Sequence, residues 1–134
     1  MPRPLKITGI DHLLLKVDSM DRAIAFYEGV LGCTVKSRLP QYAMAELCVG
    51  AQGLDLVDVG AAEGAWARPS SAADQGNLHH LCLAVEVVSE AELRAHLSHH
   101  RVPIIEERLE DAHLSLYVLD PSGSQVELRF ALAS

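Results

Sequence analysis

The sequence predicts an α+β fold made of two copies of a strand–helix–strand–strand–strand (βαβββ) unit. Three observations support this prediction. Residues 114–130 have the pattern of a β-hairpin, each half of the chain contains a segment with helical spacing, and the two halves resemble each other. Residues 11–17 match residues 79–85 at an offset of 68, and residues 53–56 match residues 125–128 at an offset of 72. These matches indicate an internal repeat.

The hairpin is the clearest single element. Two runs that alternate apolar and polar residues flank Asp120-Pro-Ser-Gly123, a turn sequence in which proline presets φ and glycine accepts a positive φ. The apolar face contains Leu114, Leu116, Val118, Val126, Leu128 and Phe130. The opposite face contains His113, Ser115, Tyr117, Gln125, Glu127 and Arg129. A solvated sheet and a sheet that lines a polar cup both fit this pattern.

The first half of the chain begins with a predicted strand over residues 7–17. A helix follows, capped by Asp18 or Ser19 and ended by Gly32 as its C′ residue. Three short strands are expected at about residues 33–38, 42–49 and 53–59, with a hairpin turn near Gly50.

The second half repeats this order after a connector. Residues 60–76 have no period and are rich in small residues, which is typical of a connection. A strand is expected over residues 78–87, and Ser89 with Glu92 forms a capping-box sequence for a helix that ends near His100. Strands near 103–107, 113–119 and 125–130 close the chain. We therefore expect one domain over residues 1–134, with repeat one at 7–59, the connector at 60–76 and repeat two at 77–131.

Composition limits the function classes. The chain of 134 residues carries a formal net charge of −7 and no basic cluster, so nucleic acid and anionic membrane are not expected partners. No apolar run approaches the roughly 18 residues of a membrane span, and the N-terminal residues lack the apolar stretch of a signal peptide. The three cysteines have no C-x-x-C spacing, which favours reduced thiols and a cytoplasmic location.

Four residues form the candidate site: His12, Asp55, His80 and Glu127. Each repeat offers a histidine early in its first strand and a carboxylate in its last, on the face opposite the bulky aliphatic residues. If the two sheets meet edge to edge, all four side chains can point into one cavity. Two imidazoles with one or two carboxylates suit a divalent metal such as Zn, Ni, Mn or Fe(II). A metal there polarises a substrate oxygen while Glu127 or Asp55 moves a proton.

Other residues have weaker assignments. Tyr117 lies opposite Glu127 in the hairpin and is a candidate hydrogen-bond donor to a ligand, although an aromatic cross-strand contact is an alternative role. Lys16 and Arg129 are candidate groups for an anionic substrate or, alternatively, solvated charges. The β-pleat predicts that His79 points away from His80. The second helix carries three histidines that are expected to be solvated, namely His96, His99 and His100.

These motifs resemble the vicinal oxygen chelate superfamily, which contains glyoxalase I, bleomycin-resistance proteins, fosfomycin-modifying transferases and extradiol dioxygenases. Residues 10–17 with the helix that ends at Gly32 resemble its first repeat, and residues 117–128 resemble its Asp-Pro-x-Gly-x-x-x-Glu signature. The resemblance implies one glyoxalase-like domain whose repeats form a cupped eight-stranded mixed sheet, with helices on its outer face and a metal inside. It also implies a homodimer, in which the cup often forms between chains.

The resemblance leaves three functions open. Four candidate ligands, with Asp55 at the place of a glutamate, favour a glyoxalase-like lyase or isomerase, and Lys16 lies where glyoxalase I has an arginine for the glutathione carboxylate. Val59 replaces an asparagine that helps to hold glutathione, however, so the substrate is expected to be another small oxygen-bearing compound. The second function is an extradiol-type dioxygenase, because Tyr117 resembles the tyrosine of those enzymes. The third function is metal-free sequestration of a drug or metabolite, as in bleomycin-resistance proteins.

Overall fold

The fold consists of two βαβββ modules, as the repeat predicts. The computed structural model describes residues 4, 6–68, 78–87 and 89–132. Module one contains β1 (His12–Val17), α1 (Met20–Ile24), β2 (Thr34–Leu39), β3 (Met44–Val49) and β4 (Gln52–Asp58). Module two contains β5 (Leu81–Ala84), α2 (Glu90–His99), β6 (Glu106–Glu110), β7 (His113–Leu119) and β8 (Gln125–Ala131). Short 3₁₀ helices lie at Pro40–Tyr42 and Ala62–Ala67.

Each module forms its own four-stranded mixed sheet. The strand orders are β1-β4-β3-β2 and β5-β8-β7-β6, so the first strand of each module lies beside the last. These two strands are parallel, whereas the remaining pairs are antiparallel. The predicted α+β class with eight strands is thus confirmed. The described strands form two hydrogen-bonded sheets, and β1 and β5 are free edges.

Several predicted boundaries were wrong, and strand pairing explains them. The strand predicted at 7–17 begins only at His12, because β4 pairs with β1 from that residue onward. The strand predicted at 78–87 is limited to Leu81–Ala84, the four residues that β8 pairs with. The strand predicted at 103–107 lies at Glu106–Glu110. Pro103, which has no N–H to donate, precedes it.

The connector and the first helix also differ from expectation. The connector predicted at 60–76 contains the 3₁₀ helix Ala62–Ala67, and residues 69–77 lie outside the described part of the chain. The first helix changes at Ala25–Val30 into a π-helix, which the spacing did not predict. The predicted caps are confirmed: Ser19 Oγ accepts from Arg22 N, Ser89 Oγ accepts from Glu92 N, and Gly32 has a φ of 82°.

One hydrophobic core joins both modules. It includes Leu15 and Val17 of β1, Phe26 of the π-helix, and the hairpin residues predicted to be apolar-facing, all of which are buried. The hairpin register is confirmed, with Tyr117 opposite Glu127. No helix in the described ranges is long and apolar enough to cross a bilayer.

A buried hydrogen bond fastens module one to the hairpin turn of module two. Tyr27 OH donates to Asp120 Oδ2 at 2.7 Å, and the exposed fractions of the two residues are 0% and 4%. The other oxygen, Asp120 Oδ1, accepts from the N–H groups of Ser122 and Ser124. The side chain that orders the turn thus also holds the first helix. Burial and this hydrogen bond raise the pKa of Tyr27.

We expect Tyr27→Phe to lower the free energy of unfolding by about 1–3 kcal/mol, because it leaves a buried carboxylate oxygen without its donor. Urea unfolding measures the change. Tyr42→Phe is the control, since Tyr42 is 52% exposed and only its backbone carbonyl accepts a hydrogen bond, from Trp66. Equal losses in the two variants would contradict a specific role for the Tyr27 hydroxyl.

Candidate metal centre

The stronger histidine–carboxylate pair lies in module two. Glu127 is central in β8, and His80 directly precedes β5, the parallel neighbour of β8. His80 Nε2 lies 2.9 Å from Glu127 Oε1. On the other side of the carboxylate, Ser115 Oγ donates to Glu127 Oε2 at 2.7 Å. The carboxylate therefore has one oxygen fixed by β7 and the other beside the imidazole.

Glu127 is surrounded by hydrogen-bond donors. Burial alone would raise its pKa, but hydrogen bonds from Ser115, Tyr117, His80 and Cys82 outweigh burial and leave the pKa below its ordinary value. Glu127 is 8% exposed, and it accordingly remains ionised although it is nearly buried. Burial and the bond with Glu127 in turn raise the pKa of Tyr117, whose hydroxyl keeps its proton as a donor.

Module one contains the equivalent pair in a looser form. His12 Nε2 lies 3.9 Å from Asp55 Oδ2, and the His12 side chain is 51% exposed. The other ring nitrogen, Nδ1, lies 2.9 Å from Asp11 Oδ2. Asp55 is buried, and the residue opposite it on the neighbouring strand β3 is Glu46. A cavity of about 170 Å³ adjoins this pair.

The electrostatics of this pair differ from those in module two. Burial raises the pKa of Asp55, and repulsion from Glu46 adds to the effect although His12 opposes it. The hydrogen bond that His12 Nδ1–H donates to Asp11 and the charge of Asp55 raise the pKa of His12. The pKa values of Asp55 and Glu127 are therefore shifted in opposite directions.

The distance between the facing atoms of each pair can be compared with the spacing of two ligands on one metal ion. Two ligands at about 2.1 Å from one ion are about 3.0 Å apart in octahedral and about 3.4 Å apart in tetrahedral geometry. The 2.9 Å pair matches the octahedral value, and the 3.9 Å pair is wider by about half an ångström than the tetrahedral one. Among the described residues no three histidine, cysteine or acidic side chains of the single chain form one cluster. The four candidate ligands thus lie in two separate pairs, and their role as ligands stays a prediction.

The structure brings the other predicted residues to different surroundings. Tyr117 packs edge-on against His80 with ring centres 5.7 Å apart, beside the pair as predicted. Arg129 is half-buried on the Glu127 face of β8, and Lys16 is exposed on β1. His79 does not point away from His80: the two Nδ1 atoms are 2.7 Å apart, because the strand begins only at Leu81 and pleat parity does not apply before it.

The helix histidines are only partly as expected. All three are exposed, but His96 also contacts module one, with Nε2 2.7 Å from the Val30 carbonyl oxygen. This contact adds a polar link between the two modules that spacing within α2 could not reveal.

Three residues at the site were not assigned a role from the sequence: Ser115, Asp11 and Glu46. Ser115 was placed on the correct face, but its bond to Glu127 depends on a diagonal cross-strand contact. Glu46 could have been found by pairing β3 with β4 in the manner that paired Tyr117 with Glu127. Asp11 is adjacent to His12 in the sequence, which was the available signal.

An apolar cavity of about 740 Å³ lies between the free edges of the modules. Ile10, Leu13, Leu31, Leu78, Leu83 and Val85 contribute to its walls. His80 and Cys82 also line it, so the tighter of the two pairs adjoins a space of the size that small-molecule sites occupy.

The family model described as the Glyoxalase/Bleomycin resistance protein/Dioxygenase superfamily matches residues 9–128. The chain belongs to this superfamily. The match spans both modules, so it confirms the resemblance seen in the sequence. No curated protein sequence matched the chain.

Several solved structures share the fold. A lactoylglutathione lyase from Agrobacterium tumefaciens is 24% identical with a TM-score of 0.72, covering 93% of this chain and 95% of its own. An integron cassette protein from the mobile metagenome of V. cholerae is 25% identical with a TM-score of 0.69, covering 94% and 97%. A glyoxalase/dioxygenase from Nostoc punctiforme is 16% identical with a TM-score of 0.75, covering 99% and 97%.

We expect Asp11→Asn to lower the pKa of His12 in metal-free protein, because the carboxylate beside Nδ1 favours the imidazolium form. An NMR titration of the imidazole protons measures the shift. Asp21→Asn, on α1, is the control that removes one negative charge elsewhere. An unchanged His12 titration in Asp11→Asn would show that the contact with Asp11 does not form in solution.

Proposed function

We propose that the protein is a metal-dependent lyase or isomerase that acts on a small oxygen-bearing substrate. The observation that carries this proposal is the His80–Glu127 pair, whose facing atoms have the spacing of two ligands to one ion. A single histidine in a strand would be weak support, but the His12–Asp55 pair recurs in the equivalent place of the repeat. The lyase from Agrobacterium tumefaciens is compatible with this proposal through its fold.

The proposed site is completed by a second copy of the chain. Within the described part of one chain the two pairs do not form a cluster of three, whereas catalytic zinc sites have three protein ligands. In a symmetric homodimer the His12–Asp55 pair of one protomer can face the His80–Glu127 pair of its partner, and symmetry then creates two equal sites. The free edges β1 and β5 are the places where such an association would add contacts.

The carboxylates have different proposed roles because their surroundings shift them in opposite directions. Glu127 stays ionised and is suited to hold a Zn, Ni, Mn or Fe(II) ion with His12 and His80. Asp55, whose pKa is raised, is suited to take a proton from the substrate and return it. Tyr117 keeps its proton and can donate to a substrate oxygen. When bound, the metal supplies Lewis-acid polarisation of that oxygen.

A second candidate function is supported by the 740 Å³ apolar cavity. A protein that sequesters a hydrophobic drug or metabolite needs such a space and needs no proton-transfer group. The metal test below separates this function from catalysis. Iron in the site, with oxygen uptake on catechols, would instead indicate the ring-cleaving dioxygenase.

We expect the purified protein to bind about one divalent ion per chain. His80→Ala should lower the affinity for the metal at least tenfold, because it removes a side chain proposed to coordinate the metal directly. Isothermal titration calorimetry with Zn²⁺ and Ni²⁺ measures both. His99→Ala is the control, since this exposed histidine at the end of α2 lies outside both pairs. Wild-type affinity in His80→Ala would count against every metal-dependent function, and sequestration would then be favoured.

Mixing two inactive variants tests the shared site directly. If the site combines His12 of one chain with His80 of another, a dimer of His12→Ala and His80→Ala chains contains one intact site. After unfolding and refolding an equal mixture, random pairing should restore about a quarter of the wild-type high-affinity metal sites. Each variant refolded alone is the control and should show none. Absence of any recovery, with dimers present by light scattering, would show that each site is built within one chain.

A further inference from the structure

We propose that the guanidinium of Arg129 binds a carboxylate group of the substrate, so that the substrate is an oxygen-chelating compound that also carries a carboxylate. This inference rests on the proposed metal site and adds the chemical class of its ligand. It starts from the position of Arg129, two residues beyond Glu127 on the same strand and the same face. Two residues of a β-strand span about 7 Å.

The backbone register defines which residues flank Arg129 across the strands, in a row of opposed residues that we call a rung. In module two, Cys82 lies opposite Glu127, and the next rung on that face joins Ala84 to Arg129. On the other side, Arg129 lies opposite Ser115, the residue that fixes Glu127. The two residues that flank Arg129, Ala84 and Ser115, are therefore small and uncharged.

No residue in the described part of the chain pairs with the charge of Arg129. The residue is half-buried, yet its guanidinium forms no hydrogen bond or ion pair with another residue of the described ranges. Two other arginines of module two differ: Arg94 is paired with Glu90 and Glu107, and Arg108 with Glu106. A half-buried cation that lacks a partner in a chain of net charge −7 is unusual, because desolvation is normally offset by pairing. An anion from outside the chain would supply the missing partner.

The repeat supports the same interpretation. In module one the rung after Asp55 joins Lys16 to Val57, and in module two the rung after Glu127 joins Ala84 to Arg129. Each module thus places one cation and one apolar residue at the equivalent level. The planar fork of Arg129 matches the two oxygens of a carboxylate, and its single charge balances one negative charge. The anion of this proposal is therefore a carboxylate.

The test compares two chelators of nearly equal size that differ in charge. We would titrate the Zn²⁺-loaded protein with 3,4-dihydroxybenzoate and with its neutral amide, 3,4-dihydroxybenzamide, by calorimetry at low and high salt. Both compounds can chelate through vicinal oxygens, but only the first has a carboxylate. We expect the benzoate to bind about tenfold more tightly at low salt, and the preference to shrink as salt screens the pair.

Arg129→Gln should remove this preference while leaving the affinity for the amide within about twofold. The matched control is Arg108→Gln, which removes the same charge from the same face and level of the sheet, two strands away, where Arg108 is exposed and paired. Arg108→Gln should keep the preference. Zn²⁺ affinity of both variants, measured separately, should equal that of the wild type and thereby verify an intact site.

Three results would overturn the inference. Equal affinities of the two chelators for the wild type, or a preference that survives in Arg129→Gln, would exclude a carboxylate site at this residue while leaving the metal site intact. If Arg129→Gln and Arg108→Gln lose the preference for the benzoate equally, the overall electrostatic potential, and not a contact with Arg129, would account for it. Failure of both chelators to bind loaded wild-type protein would refute the proposed function and the inference together.

Discussion

Both candidate half-sites depend on the parallel pairing of the first and last strands of each module. The fixed registers of β1 with β4 and of β5 with β8 bring a histidine from the start of the module beside an acid from its end. The chain segments between them are long, so only the sheet holds the two side chains together. Parallel neighbours cannot be joined by a tight turn, which is why a helix and two further strands must fold before the pair exists.

The same register explains why the two pairs differ electrostatically. The residue opposite Asp55 on its antiparallel neighbour is Glu46, whereas the residue opposite Glu127 is Tyr117. Asp55 thus has a second acid opposite it, whereas Glu127 has a hydroxyl donor opposite it. Burial acts on both carboxylates in the same direction, but the cross-strand partner adds to it at Asp55 and opposes it at Glu127. The two pairs thus occupy equivalent places in the repeat, but Asp55 has a second acid as its neighbour whereas Glu127 has the donors Ser115 and Tyr117.

How much the sequence could predict follows from how local each feature is. Alternation and the Asp120 turn correctly predicted the faces and register of the hairpin, because both are set by residues adjacent in sequence. Strand ends were predicted poorly, since β1 and β5 extend only as far as their distant partners allow. The same limit explains the error at His79, where parity was applied to a residue outside any strand.

The four candidate site residues were proposed from the repeat, and the structure places each histidine near the acid of its own repeat, while their role in a site stays a prediction. Ser115 and Glu46 did not receive roles, because their effects arise from side-chain contacts across strands and alternation gives only the face. Whether the two pairs meet was not predictable from the sequence, since it depends on how whole modules are arranged.

That arrangement is fixed within the chain by buried contacts, and this supports a site formed between chains. Tyr27 of module one is fully buried and bonded to Asp120, and Asp120 also orders the turn that sets the register of Glu127. To bring the two pairs together within one chain, the modules would have to separate at this bond and at the shared core around it. Breaking a buried hydrogen bond and exposing core side chains costs several kcal/mol. Association of two intact chains through free strand edges requires neither step, so it is the less costly way to unite the pairs.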